Sequence, residues 1–81
     1  MYLAGAQIRA GRALVRWSAD ELAKQAKLGR ITVSRAEAMD GKTALTEANS
    51  DAIRRALEAA GVEFIEENGG GPGVRLRDRQ G

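Results

Sequence analysis

The sequence predicts one mainly α domain of four to five short helices, closed by a short C-terminal β-hairpin. Three observations carry that expectation. Apolar residues recur at steps of three and four, the helical period, as far as Ala60. Between Trp17 and Glu37 two short helical segments flank Lys27-Leu28-Gly29, the layout of a helix-turn-helix unit. Beyond Gly61 the period changes to the alternation of strands, on either side of Asn68-Gly-Gly-Gly-Pro-Gly73. Residues 1–61 are therefore expected to form the helical unit, with the helix-turn-helix at 18–38, and residues 62–78 the hairpin.

The first helix is expected from Leu3 to Val15, with Ala4, Ile8, Leu14 and Val15 as its apolar stripe. Gly5 and Gly11 weaken helix propensity, so they are expected where another element approaches closely. Arg9, Arg12 and Arg16 step along one side. Ser18-Ala19-Asp20-Glu21 has the form of a capping box, in which the hydroxyl takes a backbone N–H and Glu21 reaches back. Asp20 and Glu21 also suit the positive start of the second helix, whose Leu22, Ala23 and Ala26 face inward. The third helix runs from about Arg30 to Ala38. Val33 and Ala36, with Leu28 before them, face the core; Arg30, Ile31, Ser34 and Arg35 point outward, and Thr32 lies at the edge. Asp40-Gly41-Lys42-Thr43 reads as a loop.

The fourth helix begins near Thr46 or Asn49, either of which can cap it, and stops at Gly61. Its inner face is Ile53, Ala56, Leu57 and Ala60. In the hairpin, Glu63 or Glu66 can face Arg75 or Arg77 across the strands. A two-stranded hairpin alone is marginal, so it must pack on the helices or pair with a second copy. Val62, Phe64, Val74 and Leu76 are the expected dimerisation residues, since edge strands readily join; the fourth helix is the competing interface.

Composition narrows the function. The 81 residues are 43% hydrophobic, with Tyr2, Trp17 and Phe64 the only aromatics, so the core is built from Ala, Leu, Ile and Val. With no Cys and no His, disulfides, thiolate nucleophiles, imidazole bases and the usual zinc ligands are excluded together. An enzyme is not expected, nor a cofactor, a metal or a small-molecule ligand. No apolar run approaches the ~20 residues of a membrane span, and the first residues lack a basic head and a long apolar stretch. A cytoplasmic, nucleoid-associated protein with no membrane partner is expected. Residues 1–46 hold eight Lys/Arg against four Asp/Glu, and residues 47–81 five against seven. A basic first half fits an anionic partner.

At these residues the chain resembles small lambda-repressor-like (Xre/Cro-type) helix-turn-helix transcriptional regulators of bacteria. The likeness covers roughly residues 5–60 and rests on Gln7-Ile8-Arg9, Trp17-Ser18, Asp20-Glu21-Leu22-Ala23, Thr32-Val33 and Arg35-Ala36-Glu37, in that order and spacing. The tail, Gly61-Val-Glu-Phe-Ile and then Asn68 to Arg77, is similar to tails of many short members. The resemblance implies that the start of the third helix reads bases in the major groove, through Arg30, Ile31, Ser34 and Arg35 with Thr32 close by. It implies a structural ion pair between Arg12 and Glu37, and phosphate contact by the loop at Lys42 and Thr43. Ser18 and Lys27 are further phosphate candidates. Two features depart from the family pattern: Ala19 stands where Gln is frequent, and the turn has Lys27 in place of the usual Gly and Gly29 in place of a Ser or Thr cap. Either the turn shifts or Lys27 takes a left-handed backbone.

Each candidate has a physical rationale. Arg can donate two bonds to guanine O6 and N7. Arg30 and Arg35 are separated by about 500° of helical rotation, diverging by ~140°, so one reads a base while the other takes a more distant base or a phosphate. Ile31 suits a thymine methyl, or packs on the turn. Ser34 and Thr32 suit base edges or phosphates, or bond their own backbone. Gly41-Lys42-Thr43 is not the end of a nucleotide-binding loop, because that motif needs Gly where position 36 is Ala. Trp17 is expected as a core or hinge residue at the start of the unit. The expected function is therefore a sequence-specific regulator, homodimeric on an inverted repeat of double-stranded DNA, with RNA polymerase as a further partner. The alternative is a protein-interaction module, such as an antitoxin or anti-activator.

Overall fold

The computed structural model describes residues 3–41 and 45–78. Four helices, α1 (Gly5–Val15), α2 (Ala19–Ala26), α3 (Arg30–Glu37) and α4 (Glu47–Ala59), precede a hairpin of β1 (Val62–Ile65) and β2 (Gly73–Leu76). Leu3, Ile8, Leu22, Val33, Ile53, Leu57 and Val62 are fully buried, so α1, α2, α3, α4 and β1 share one core. The small residues Ala19, Ala23, Ala26 and Ala36 complete it, and Trp17 and Leu28 pack half-buried against it.

Local chemistry sets most boundaries. Ser18 caps α2, its Oγ accepting the Glu21 N–H at 3.0 Å. The other half of the expected box does not form: the Glu21 carboxylate instead accepts from Gln25 Nε2 at 2.7 Å. The reach-back occurs one helix earlier. α1 starts at Gly5, not Leu3, and Gln7 Oε1 accepts the Ala4 N–H at 2.9 Å. Thr46 caps α4 by accepting the Asn49 N–H at 3.1 Å, which decides between the two expected caps. Gly61 follows α4 with φ +108°, a conformation open to glycine. Lys27 ends α2 in the left-handed region, with φ 59° and ψ 43°. The turn therefore keeps its length, and the chain bears a strain of about 1–2 kcal/mol there.

Leu14, expected in the apolar stripe, is 37% exposed, while Gln7 occupies a buried position. The two glycines of α1 are both contact sites. A Cβ on Gly5 would lie 1.6 Å from the Met39 carbonyl oxygen, because the Gly5 N–H donates to the Gly41 carbonyl at 3.0 Å. A Cβ on Gly11 would meet only side chains, most closely the flexible Leu57 Cδ1 at 3.2 Å, with Val62 Cγ1 at 3.6 Å in ordinary contact.

The strands pair antiparallel in the register Val62–Leu76, Glu63–Arg75, Phe64–Val74 and Ile65–Gly73. Alternation puts Val62, Phe64, Val74 and Leu76 on one face. That face packs on the chain's own helices α1 and α4. This corrects the expected dimerisation role of Val62, which is 1% exposed in the single chain; Phe64 and Val74 pack on the same core and Leu76 is half-buried. A two-stranded ribbon needs an apolar support to persist, and α1 and α4 supply it without a second copy. On the opposite face Arg75 grips Glu63 with two bonds of 3.1 Å.

Gly5→Ala is expected to destabilise the fold by about 3 kcal/mol or more in urea denaturation, since backbone must move. Gly11→Ala is expected to be within about 1 kcal/mol of the parent, helix propensity offsetting a displaced methyl. The Arg75 hydrogen bonds and charge hold the Glu63 carboxyl below its usual value of 4.5. Its contribution to folding is therefore present above that value and fades as pH falls through the lower folded-state value. NMR titration of Glu63 should show the depressed midpoint, and Arg75→Ala should restore it toward 4.5.

Candidate nucleic-acid interface

Helix α3 is short, so tertiary anchoring and not propensity must hold it. Its inward residues are Val33, Ala36 and Glu37, at helical steps of three and four. Val33 and Ala36 enter the apolar core. Glu37 is 9% exposed and needs a cation. Arg12 supplies it: Nε donates to Oε2 at 2.7 Å and Nη2 to Oε1 at 2.9 Å, a planar two-bond fit. Arg12 Nη1 also donates to the Trp17 carbonyl at 3.0 Å. One guanidinium thus joins α1, the entry to α2, and the end of α3. The Glu37 hydrogen bond raises the Arg12 pKa against the opposing effect of burial, so Arg12 stays charged.

Arg9 adds a second tie that the sequence reading missed. Its guanidinium donates to the Glu37 backbone carbonyl and to the Asp40 carboxylate. A signal existed: Arg9 and Arg12 are three apart, as are Glu37 and Asp40, and the pairs match in reverse order. Arg16 is not part of this stripe; it ends α1 in a left-handed conformation, with φ 59°.

With these anchors inward, the remaining side chains of α3 project outward. Arg30, Ile31, Ser34 and Arg35 are exposed, Ile31 at 67%, and Thr32 is half-buried at the edge. Ile31 therefore does not pack on the turn as core. Arg30 and Arg35 diverge as their spacing requires. Arg30 lies beside the start of α2, where its Nε is 3.5 Å from Asp20 Oδ1. Arg35 lines a cleft of ≈ 270 Å³ with Thr32, Ala36, Leu45, Thr46 and Asn49, between α3 and the start of α4. Two diverging arginines, an exposed aliphatic and two hydroxyl residues together carry the groups that recognise base edges and thymine methyls.

The phosphate candidates divide. Ser18 is exposed at the start of α2; its oxygen accepts the Glu21 N–H, which leaves the hydroxyl proton for another acceptor. Lys27 is exposed at the end of α2. Lys42 and Thr43 lie outside the described residues. Among the described residues no group of three or more Asp or Glu side chains is arranged to hold a metal ion, and no helix is long and apolar enough to cross a membrane.

No protein-family model and no curated protein matches the chain.

Replacing Arg12 by Ala strands the Glu37 carboxylate in a largely buried site. A loss of about 2–3 kcal/mol is expected in urea denaturation, somewhat less than for a fully buried pair. Replacing both Arg12 and Glu37 by Met should recover most of it, because no uncompensated charge remains.

Proposed function

We propose that this protein is a sequence-specific DNA-binding transcriptional regulator of the lambda-repressor-like type, acting as a homodimer. The observation that carries the reading is the division of labour on α3. Val33, Ala36 and Glu37 hold the helix to the body, while Arg30, Ile31, Ser34 and Arg35 stand outward on the second helix of a helix-turn-helix unit. A helix so placed enters a major groove, and arginine is the side chain suited to guanine there.

Ser18 and Lys27, at the two ends of α2, serve as phosphate contacts that set the docking without reading sequence. Lys42 and Thr43, which follow α3 in the sequence, join them as phosphate contacts. Two copies related by a two-fold axis would read half-sites about one helical turn, ~34 Å, apart. The operator is then an inverted repeat, and occupancy is set by the concentration of the regulator. Regulation follows from blocking or recruiting RNA polymerase at that operator.

Selection from a random duplex pool tests the reading. An enriched inverted repeat is expected, with affinity falling steeply as salt rises. Replacing Arg30 and Arg35 together by Ala should weaken binding to the selected site by about 100-fold, on the ~1–3 kcal/mol scale of a base-reading arginine, and leave thermal unfolding unchanged. Unaltered binding by that variant would overturn the proposal.

A further inference from the structure

We propose that Asp20 is a positioning residue that sets the base preference of Arg30; this rests on the reading of α3 as the base-reading helix. Asp20 stands in the first turn of α2 and Arg30 is the first residue of α3, so their contact crosses the turn of the helix-turn-helix unit. Asp20 Oδ1 lies 3.5 Å from Arg30 Nε, with the two side chains 81% and 53% exposed. An ion pair this open contributes little to stability. Its consequence is geometric.

The carboxylate engages the Nε side of the guanidinium. Nη1 and Nη2 are left as a free two-donor end, and guanine presents N7 and O6 as two acceptors side by side. Arginine ordinarily has many rotamers to lose on binding. A partner already present in the free protein removes a small part of that loss, for the orientations in which Nε faces the start of α2. Arg35 is the internal contrast: among the described residues no carboxylate lies within 4.0 Å of it.

The same charge acts a second way. A carboxylate at the start of α2, beside the base-reading helix, repels phosphate and lowers affinity for every duplex alike. Pre-orienting Arg30 raises affinity for the correct base. Only the pre-orientation of Arg30 increases the ratio of specific to non-specific binding, which is the quantity that matters when competing sites are in excess; the repulsion lowers both by the same factor.

The test uses the full chain and the duplex selected by the wild-type protein, with each base varied in turn. Asp20→Asn keeps size and polarity and removes the charge. It is expected to lower the preference for guanine at one position of each half-site by about tenfold, while non-specific affinity stays the same or rises. Asp20→Glu should retain most of the preference. In an Arg30→Ala background, Asp20→Asn should have no further effect on that position. A uniform gain in affinity with the preference intact would overturn the proposal, since Asp20 would then be only a repulsive charge. A position whose preference depends on Arg30 but not on Asp20 would also overturn it, while leaving the DNA-binding reading in place. A wild-type protein with no base preference would overturn both.

Discussion

Burying the Glu37 carboxylate beside Arg12 is the constraint on which the arrangement of α3 depends. An eight-residue helix has little intrinsic stability, and α3 carries only Val33 and Ala36 as buried apolar anchors. A carboxylate at its last turn would open the packing to water if it lacked a partner. Paired through two hydrogen bonds to Arg12, it becomes a third anchor with a defined direction. The same guanidinium takes the Trp17 carbonyl, and so couples the roll of α3 to the entry of α2. Arg9 continues the tie past the helix end, through the Glu37 carbonyl and Asp40. With its orientation settled from one side, the opposite side of α3 is free of structural duty. Two arginines, an isoleucine and a serine can occupy it without harming the core.

A second constraint acts on the chain's ends. The start of α1 lies against the backbone after α3, so closely that only a glycine fits at position 5. Gln7, two residues on, is almost fully buried and satisfies three backbone groups. It accepts from the Ala4 N–H and donates to the carbonyls of Gly73, at 3.0 Å, and Ile65, at 3.4 Å. The last pair of the β-ladder, Ile65 and Gly73, is thereby tied to the first turn of the first helix. A two-stranded hairpin gains what it lacks alone: an apolar support under Val62, Phe64 and Val74, and a polar clasp at the end next to its loop. The Glu63–Arg75 pair adds a cross-strand contact on the open face.

These anchors explain which parts of the reading held. The outward residues of α3 were legible because a helix places its faces by local periodicity, and Val33 and Ala36 set the phase. The partner of Glu37 came from a resemblance, not from spacing. Arg9 was placed on one side of α1 with Arg12 and Arg16 but given no partner, because its acceptors lie 28 and 31 residues away. Leu14 was assigned inward on the same periodicity that succeeded elsewhere. It is 37% exposed although Gly11 and Val15 beside it turn to the core, while Gln7, a polar residue, took a buried place.

What the sequence by itself determined are the features whose causes lie within a few residues: four helices and a hairpin in order, the Ser18 cap, the turn at Lys27-Leu28-Gly29, the stop at Gly61, and the facing of α3. Their causes are hydrogen bonds and steric limits between near neighbours, which a short window contains. Only the tertiary structure decided that Thr46 and not Asn49 caps α4, that Lys27 bears a left-handed backbone, that Gln7 is a buried clasp, and that Val62 belongs to the chain's own core instead of a partner's. The last two of those outcomes depend on groups brought together from distant positions, as Gln7 and Gly73 are across 66 residues, whereas the Thr46 cap and the Lys27 turn are short-range choices between local alternatives. A local pattern cannot encode such a meeting, because the same residue types satisfy their hydrogen bonds and bury their carbon equally well with other partners until the whole chain has packed.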